Sequence, residues 1–475
     1  MQRILYFTLS LLLFTVFNVQ AQEVWSLEKC IDYAQKNSIT VKQAEAGVRD
    51  AELLLQLDRS SRLPSINGTV RGGMQFGRTI DPTTNQFRTE STTFNSYSLN
   101  ASVTIFSGNR INNSIEQSQI NLQAAQLDAE STQYDLALQI ATAYLNILLA
   151  EEQLENAKKQ MELSEEQLEQ TDKLIQAGSL PQNDRFDILA QIARDQQAII
   201  QAENLVETNY LNLRQLLELD PSINMTIAKP DVVIPTGANP DVYREREVYT
   251  TALGILPSVR ASDLRVESAA LGVDIAKAAL FPTLGIGGSL TTNYSDRGVR
   301  VDGVEQTIED VTLYFDDMPV VVGFPDVNPI TSPNPYFNQL GDNFGQSIGV
   351  TLSVPIFNQN QNRINIQRAR LSVINAELQN RQTRQQIRTN VLNAVTNAKS
   401  SKRSYDAAQA SVEAAQVAYQ NAQTSYNLGN INTLEFTTAR NTLDQANVEL
   451  IRAKYQYFFN LKVVDYYLGK PLKLN

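Results

Sequence analysis

The stretch IATAYLNILLAEEQLENAKKQMELSEEQLEQTDKLI, residues 140–175, decides how the rest of the chain reads. Ile140, Ile147, Leu154, Met161, Leu168 and Ile175 fall seven apart. A small residue stands three positions after each of the first five: Ala143, Ala150, Ala157, Ser164 and Thr171. A sustained heptad packs helices as a coiled coil, and the small position lets neighbouring backbones approach closely. Residues 109–176 contain neither proline nor glycine, so at 1.5 Å per residue they form one helical rod of about 100 Å. Gly178 stands just beyond, where a glycine caps a helix.

The ladder is written twice. At an offset of 251, Val391, Ala398, Tyr405, Val412, Tyr419 and Tyr426 repeat the seam, and Ala394, Ser401, Ala408, Ala415 and Ala422 repeat the small line. Gly429 matches Gly178. The return helices keep the register, with Ile192, Ile199, Val206 and Leu213 against Leu443, Leu450, Tyr457 and Val464. Earlier in the chain the offset is 218: Ala34 matches Ala252, Val41 matches Val259, Ala51 matches Ala269 and Pro64 matches Pro282. The second copy therefore carries 33 extra residues before Ile356. The division that follows is a leader over 1–21 and one protomer over 22–475. The protomer holds a helix at 26–62, a β-hairpin at 64–106, a long helical hairpin at 109–219 and a linker at 220–244. The second copy supplies a helix at 245–281, a β-hairpin at 282–357 with a long loop at 295–343, and a helical hairpin at 360–468. The return helix 183–219 and the first helix, about 53–56 Å each, together match one long helix.

The strands alternate. Ile66, Gly68, Val70, Gly72, Met74 and Phe76 are interleaved with Ser65, Asn67, Thr69, Arg71, Gly73 and Gln75. Tyr97, Leu99, Ala101, Val103 and Ile105 form a second apolar row; Leu284, Ile286, Gly288 and Leu290 a third; Ile348, Val350, Leu352, Val354 and Ile356 a fourth. Period two over about ten residues suits a strand with one face to lipid and the other to a lumen. A soluble sheet lying on a helical core would alternate too, so the strands alone leave both readings open.

Composition narrows the classes. Arg3, the apolar run 4–19 and Val19-Gln20-Ala21 form a secretory leader with a small-x-small cleavage site. No later stretch is apolar for 18 residues, so no membrane-spanning helix is expected. There is no histidine, which removes His-based catalysis and His-ligated metals, and the single Cys30 forbids an internal disulfide. Cys30 reads as a small buried apolar residue. A net charge of −11, or −12 after loss of Arg3, argues against nucleic acid as a partner. Gly285-Ile286-Gly287-Gly288 opens a strand and is no phosphate loop, and no cofactor motif is present. Glu165-Glu166 reads as a solvated helix face and Asp316-Asp317 as part of a loop.

Four strands cannot close a barrel, since the smallest membrane barrels need about eight, and open sheet edges cannot face lipid. Strands that enter a membrane must then be shared among several copies. Leu63-Pro64-Ser65-Ile66, Phe281-Pro282-Thr283-Leu284 and Val354-Pro355-Ile356-Phe357 carry a resemblance at this point. So does the closing run through Tyr426, Gly429, Leu443, Ala446, Leu450, Ala453, Tyr455 and Tyr457. As a set, over nearly the whole mature chain, they resemble the TolC-like outer membrane efflux proteins. The resemblance implies an α+β membrane protein in the outer membrane of a Gram-negative bacterium. It would be a homotrimer with a twelve-stranded β-barrel in the outer-membrane lipid and a coiled-coil helical barrel in the periplasm. It would serve as the passive exit duct of an efflux or type I secretion system, partnered by a periplasmic adaptor and an inner-membrane transporter.

Two departures stand out. The family often has Asn-Pro early in the first helix; here the place reads Asn37-Ser38, and the proline occurs only in the second copy, as Pro257. The resemblance also implies a ring of acids after the second tip turn, where this chain has Glu435 and Thr438, one acid short. Asp184 and Asp187 hold the equivalent places of the first copy. Such carboxylates around a pore would attract cations, although acids are also favoured at any helix start. Gly178 and Gly429 are, by resemblance, the turns an adaptor touches. A periplasmic coiled-coil adaptor or scaffold remains the alternative, and a secreted enzyme lacks any acid-base constellation.

Overall fold

The computed structural model describes residues 24–80, 86–89, 91–220, 223, 225–230, 234, 239–315 and 318–470. The leader, Asp316-Asp317 and parts of the 220–244 linker lie outside the described residues. The chain opens with β1 (Val24–Trp25), α1 (Leu27–Asn37), α2 (Ile39–Ser60), β2 (Ser65–Gln75), β3 (Arg78–Ile80), β4 (Phe87–Thr89) and β5 (Thr92–Phe106). Next come α3 (Arg110–Gln176), α4 (Asn183–Leu216), β6 (Thr226–Ile227), α5 (Glu245–Ile255) and α6 (Pro257–Ala278). The remainder is β7 (Thr283–Ser295), β8 (Val299–Phe315), β9 (Met318–Pro333), α7 (Tyr336–Asp342), β10 (Gly345–Ser353), α8 (Gln361–Asn427) and α9 (Thr433–Tyr467). The two long helices, α3 and α8, are each 67 residues.

Where periodicity reads single helices at 26–62 and 245–281, each is two. The breaks fall at Ser38 (φ −58°, ψ 132°) and Leu256 (φ −66°, ψ 124°), which are 218 apart in sequence. At the second, Pro257 holds the preceding residue in extended backbone and opens α6. At the first, serine substitutes for proline by capping: Ser38 Oγ accepts from the Thr40 N–H at 3.2 Å. One backbone device is thus reached by two chemistries.

Contacts divide the fold into two compact units. The described residues of the first, 1–52, 120–267 and 373–475, form helices and the short parallel pair β1–β6. Its two cores superpose on the sequence repeat. Cys30, Ala34, Val41, Leu136, Ile140 and Leu213 belong to one; Val248, Ala252, Val259, Ile387, Val391 and Val464 hold the same places in the other. Cys30 therefore stands where the second copy has valine, and burial pushes its thiol up to about 12. Tyr144 Oη reaches the carbonyls of Trp25 and Ala228 at 3.0 and 2.7 Å, which satisfies polar groups inside the first core. In the lower part of α3 the small line is the buried one: Ser164 and Thr171 are fully buried while Met161, Leu168 and Ile175 are only half-buried.

The second unit, 53–119 and 268–372, contains an antiparallel sheet of order β10-β7-β5-β2. Its register aligns all four apolar rows on one face: Val70 opposite Tyr97, Leu99 opposite Leu290, Val103 opposite Ile286, and Ile286 opposite Val350. The other face is polar, with hydroxyl pairs Ser65–Ser102 at 3.0 Å and Ser289–Ser347 at 2.8 Å. Leu63-Pro64 and Val354-Pro355 bound the sheet because proline cannot donate to a ladder. Gly108 (φ +62°) allows the chain to leave β5 against Phe281; a Cβ there would come within 2.7 Å of the Phe281 Cβ. The stretch 295–343, read above as a loop, is instead the two-stranded hairpin β8–β9 followed by α7. Its prolines do not prevent this, because each strand of an isolated pair has an outward edge that needs no N–H.

Candidate functional site

The two helical turns are built alike. After α3, Gly178 adopts φ +75°; after α8, Gly429 adopts φ +73°. Ser179 N–H donates to the Leu174 carbonyl and Asn430 N–H to the Ser425 carbonyl, both at 2.9 Å. Gly178 and Gly429 N–H donate to the carbonyls of Ile175 and Tyr426 at 3.0 and 2.9 Å. This is the left-handed glycine cap that closes a helix with its last carbonyls satisfied. Neither glycine has an atom within 4 Å of where a Cβ would lie, so both turns face open space.

The return helices differ in how they begin. Asn432 caps α9: its Oδ1 accepts from the Glu435 N–H at 2.9 Å, and its Nδ2 donates to the Glu435 carboxylate at 3.1 Å. Glu435 is thus held by its own helix start, in an exposed position. Gln182 precedes α4 without a side-chain cap. Asp184 is half-buried in the first turn of α4, and Asp187 is exposed. Thr438 is exposed one turn after Glu435, and its hydroxyl bonds the Leu434 carbonyl at 2.7 Å. Each acid lies in the first helical turns beyond its glycine. Among the described residues no hydrogen bond or ion pair joins Asp184 to Glu435; each acid stands at its own helix start.

Above the turns lies a cluster of buried charges absent from the sequence reading. Arg440, only 3% exposed, donates from Nη2 to the Gln160 carbonyl of α3 at 2.7 Å. Its guanidinium stands 3.9 Å from both Asp195 of α4 and Asp444 of α9. Asp195 also accepts from Gln191 Nε2 at 2.8 Å and from the Ser164 hydroxyl. Burial pushes the Asp444 carboxyl up to about 6, with the Arg440 charge working against the shift and the Asp195 charge adding to it. One cation thus ties helices from both halves of the repeat. Removing one partner of such a set leaves a buried charge uncompensated. The signal was present in spacing: Arg440 stands four residues after Phe436 and three before Leu443, both buried, so a charge interrupts an apolar stripe.

A sheet with one apolar face is thus joined in one chain to paired long helical hairpins. The sequence profile described as "Outer membrane efflux protein" matches residues 30–218 and 248–469. The chain belongs to this family; it is an outer-membrane efflux channel protein and not an enzyme. A protein of Haemophilus influenzae described as uncharacterized is 24% identical over 288 residues, a match that spans 58% of this chain and 58% of that one. The fold is similar to that of the CusC channel, at 18% identity and a TM-score of 0.74, covering 94% of this chain and 92% of that one. It is also similar to VceC of Vibrio cholerae, at 16% identity and 0.74, covering 94% and 97%. CmeC of Campylobacter jejuni aligns at 20% identity and 0.71, covering 93% and 85%.

Proposed function

We propose that three copies of this chain form one passive export duct, their sheets closing a twelve-stranded barrel in outer-membrane lipid. The sheet carries the reading. Its apolar face is bare within the chain, with Val70 73% and Ile348 86% exposed, and its outer strands β2 and β10 each have one unpaired edge. Lipid accepts the face but not the edges, whose backbone groups need partners. Pairing β2 of one copy with β10 of the next satisfies every edge, and three copies exceed the roughly eight strands a barrel requires. A periplasmic scaffold, the competing reading, would have no use for such a face.

The helical hairpins then serve as the periplasmic conduit, with an adaptor protein seated at Gly178 and Gly429 and an inner-membrane transporter supplying the energy. Asp184, Asp187 and Glu435 line the entrance and favour cations there. Thr438, in the place of a second acid, lowers the charge of the ring. Single-channel recording in planar bilayers tests this. The wild-type protein is expected to conduct with cation preference, and Asp184→Asn with Glu435→Gln to reduce both that preference and block by multivalent cations. Unchanged selectivity and block in the double variant would place the acids on the outer surface of the conduit.

A further inference from the structure

The β8–β9 hairpin accounts for the residues by which the second copy exceeds the first, and neither the barrel nor the conduit needs it. Its two edges are unlike. Pro319, Pro325, Pro329 and Pro333 all fall on odd positions of β9. Proline has no N–H to give a ladder, so the odd positions of β9 are those that face away from β8. Four prolines strip donors from that outer edge, which is how an edge is closed to further strands. On β8, Tyr314 pairs with Pro319, Ile308 with Pro325 and Val304 with Pro329. By the same alternation Val304, Gln306, Ile308, Asp310, Thr312 and Tyr314 turn their N–H and C=O groups outward. No proline occurs in β8, and its outer edge has no partner among the described residues.

The side chains are also sorted over 304–309. Val304 and Ile308 lie on one face, with Ile308 74% exposed. The opposite face carries Glu305 and Glu309, with Asp326 across the ladder from Thr307. Beyond 309, Asp310 joins the first face, and Val311, Leu313 and Phe315 join the second, so the sorted segment is 304–309. Arg300 is the hairpin's lone cation. It is engaged with Asp302 at 2.9 Å and with Ser332 at 3.1 Å. An isolated two-stranded hairpin is marginal in water and gains from a third strand.

We propose that β8 is a strand-addition site for another protein, whose extended segment alternates apolar residues with lysine or arginine. Main-chain bonds to the outward groups of β8 hold the segment, its apolar residues lie beside Val304 and Ile308, and its cations meet Glu305 and Glu309. Within one trimer, the reading proposed above, a second copy does not fit: the β9 edge is closed by proline, and β8-to-β8 pairing is two-fold, which leaves one of three copies unpaired. Nothing in this docking depends on what the duct carries.

The test uses the full-length protein in detergent and a fluorescent synthetic peptide of about ten residues, alternating valine and lysine. Binding is read by fluorescence anisotropy, with an alternating valine-glutamate peptide as the comparison. The lysine peptide is expected to bind and the glutamate peptide not. Gln306→Pro with Thr312→Pro removes outward donors at positions that leave the β8–β9 ladder whole, and should weaken binding by about tenfold or more. Glu305→Lys with Glu309→Lys, which leaves the backbone untouched, should reverse the preference between peptides. Equal binding by the proline variant, or an unchanged preference in the charge-reversed variant, would overturn the proposal. Pairing of whole assemblies through β8, seen by mass photometry and abolished by Gln306→Pro, would likewise overturn it by making the edge a contact between copies.

Discussion

The two helical turns share a backbone and differ in everything that clamps it. Gly178 and Gly429 close their helices with the same torsions and the same hydrogen bonds. At the second turn Phe436 stacks on Tyr426 with centroids 4.8 Å apart and lies 5.8 Å from Tyr419. At the first turn the positions equivalent to Tyr426 and Phe436 are Ile175 and Arg185, and Arg185 Nε instead bonds Asp172 at 2.9 Å. Duplication has kept what the coiled coil requires, the small buried line and the glycine cap. The clamp was free to become aromatic in one copy and ionic in the other.

That contrast sets the largest expected effect. Phe436→Ala empties a site only 1% exposed and should cost about 3–5 kcal/mol. Arg185→Ala breaks a half-exposed ion pair and should cost about 0–1 kcal/mol. Denaturant unfolding followed by hydrogen exchange at the two turns measures both; equal losses would erase the distinction. A smaller effect tests what the copies share. Ala408→Phe overfills the buried small line and should cost about 1–3 kcal/mol, whereas Phe at the exposed Glu155 should be nearly neutral.

Asp444 sharpens the comparison by pH. Its carboxyl sits at about 6 in the fold, above the value near 4 of an unfolded chain. Between those values the folded protein holds the proton that the unfolded chain releases. The stability this contributes is complete below about pH 4 and is lost as pH rises through about 6. The loss is on the order of 1–2 kcal/mol after solvent screening. Asp444→Asn should remove that slope from the melting temperature measured between pH 5 and 7.5; an unaltered slope would mean the carboxyl is already ionised. The last effect is the most symmetric. Gly178→Ala and Gly429→Ala should each cost about 1 kcal/mol for the left-handed torsion, equally at both turns, since neither Cβ meets an atom. Arginine at either site should abolish adaptor binding measured by pull-down, at unchanged assembly.

Much of this was legible in the sequence, for physical reasons. The heptad and the period-two strands are local patterns, and the offsets 218 and 251 locate the repeat, its two cores and the glycine turns. The helix breaks at Ser38 and Leu256 were hidden because the apolar period continues through them. The β8–β9 hairpin was hidden because its prolines read as loop until pairing shows them all on one edge. The Arg440 cluster needs three helices to meet, so its spacing on α9 alone could mark an anomaly but not its partners. The entrance role proposed for Asp184, Asp187 and Glu435 depends on contacts between copies, which the order of residues in one chain does not specify.

The central claim is that the sheet is one third of a barrel. The direct measurement is the mass of the protein extracted from outer membranes in mild detergent, taken by native mass spectrometry before and after heating. The account predicts a trimer that collapses to monomer only on heating, as the β2 and β10 edges separate. A stable unheated monomer, or a protein found only in the soluble periplasmic fraction, would contradict it.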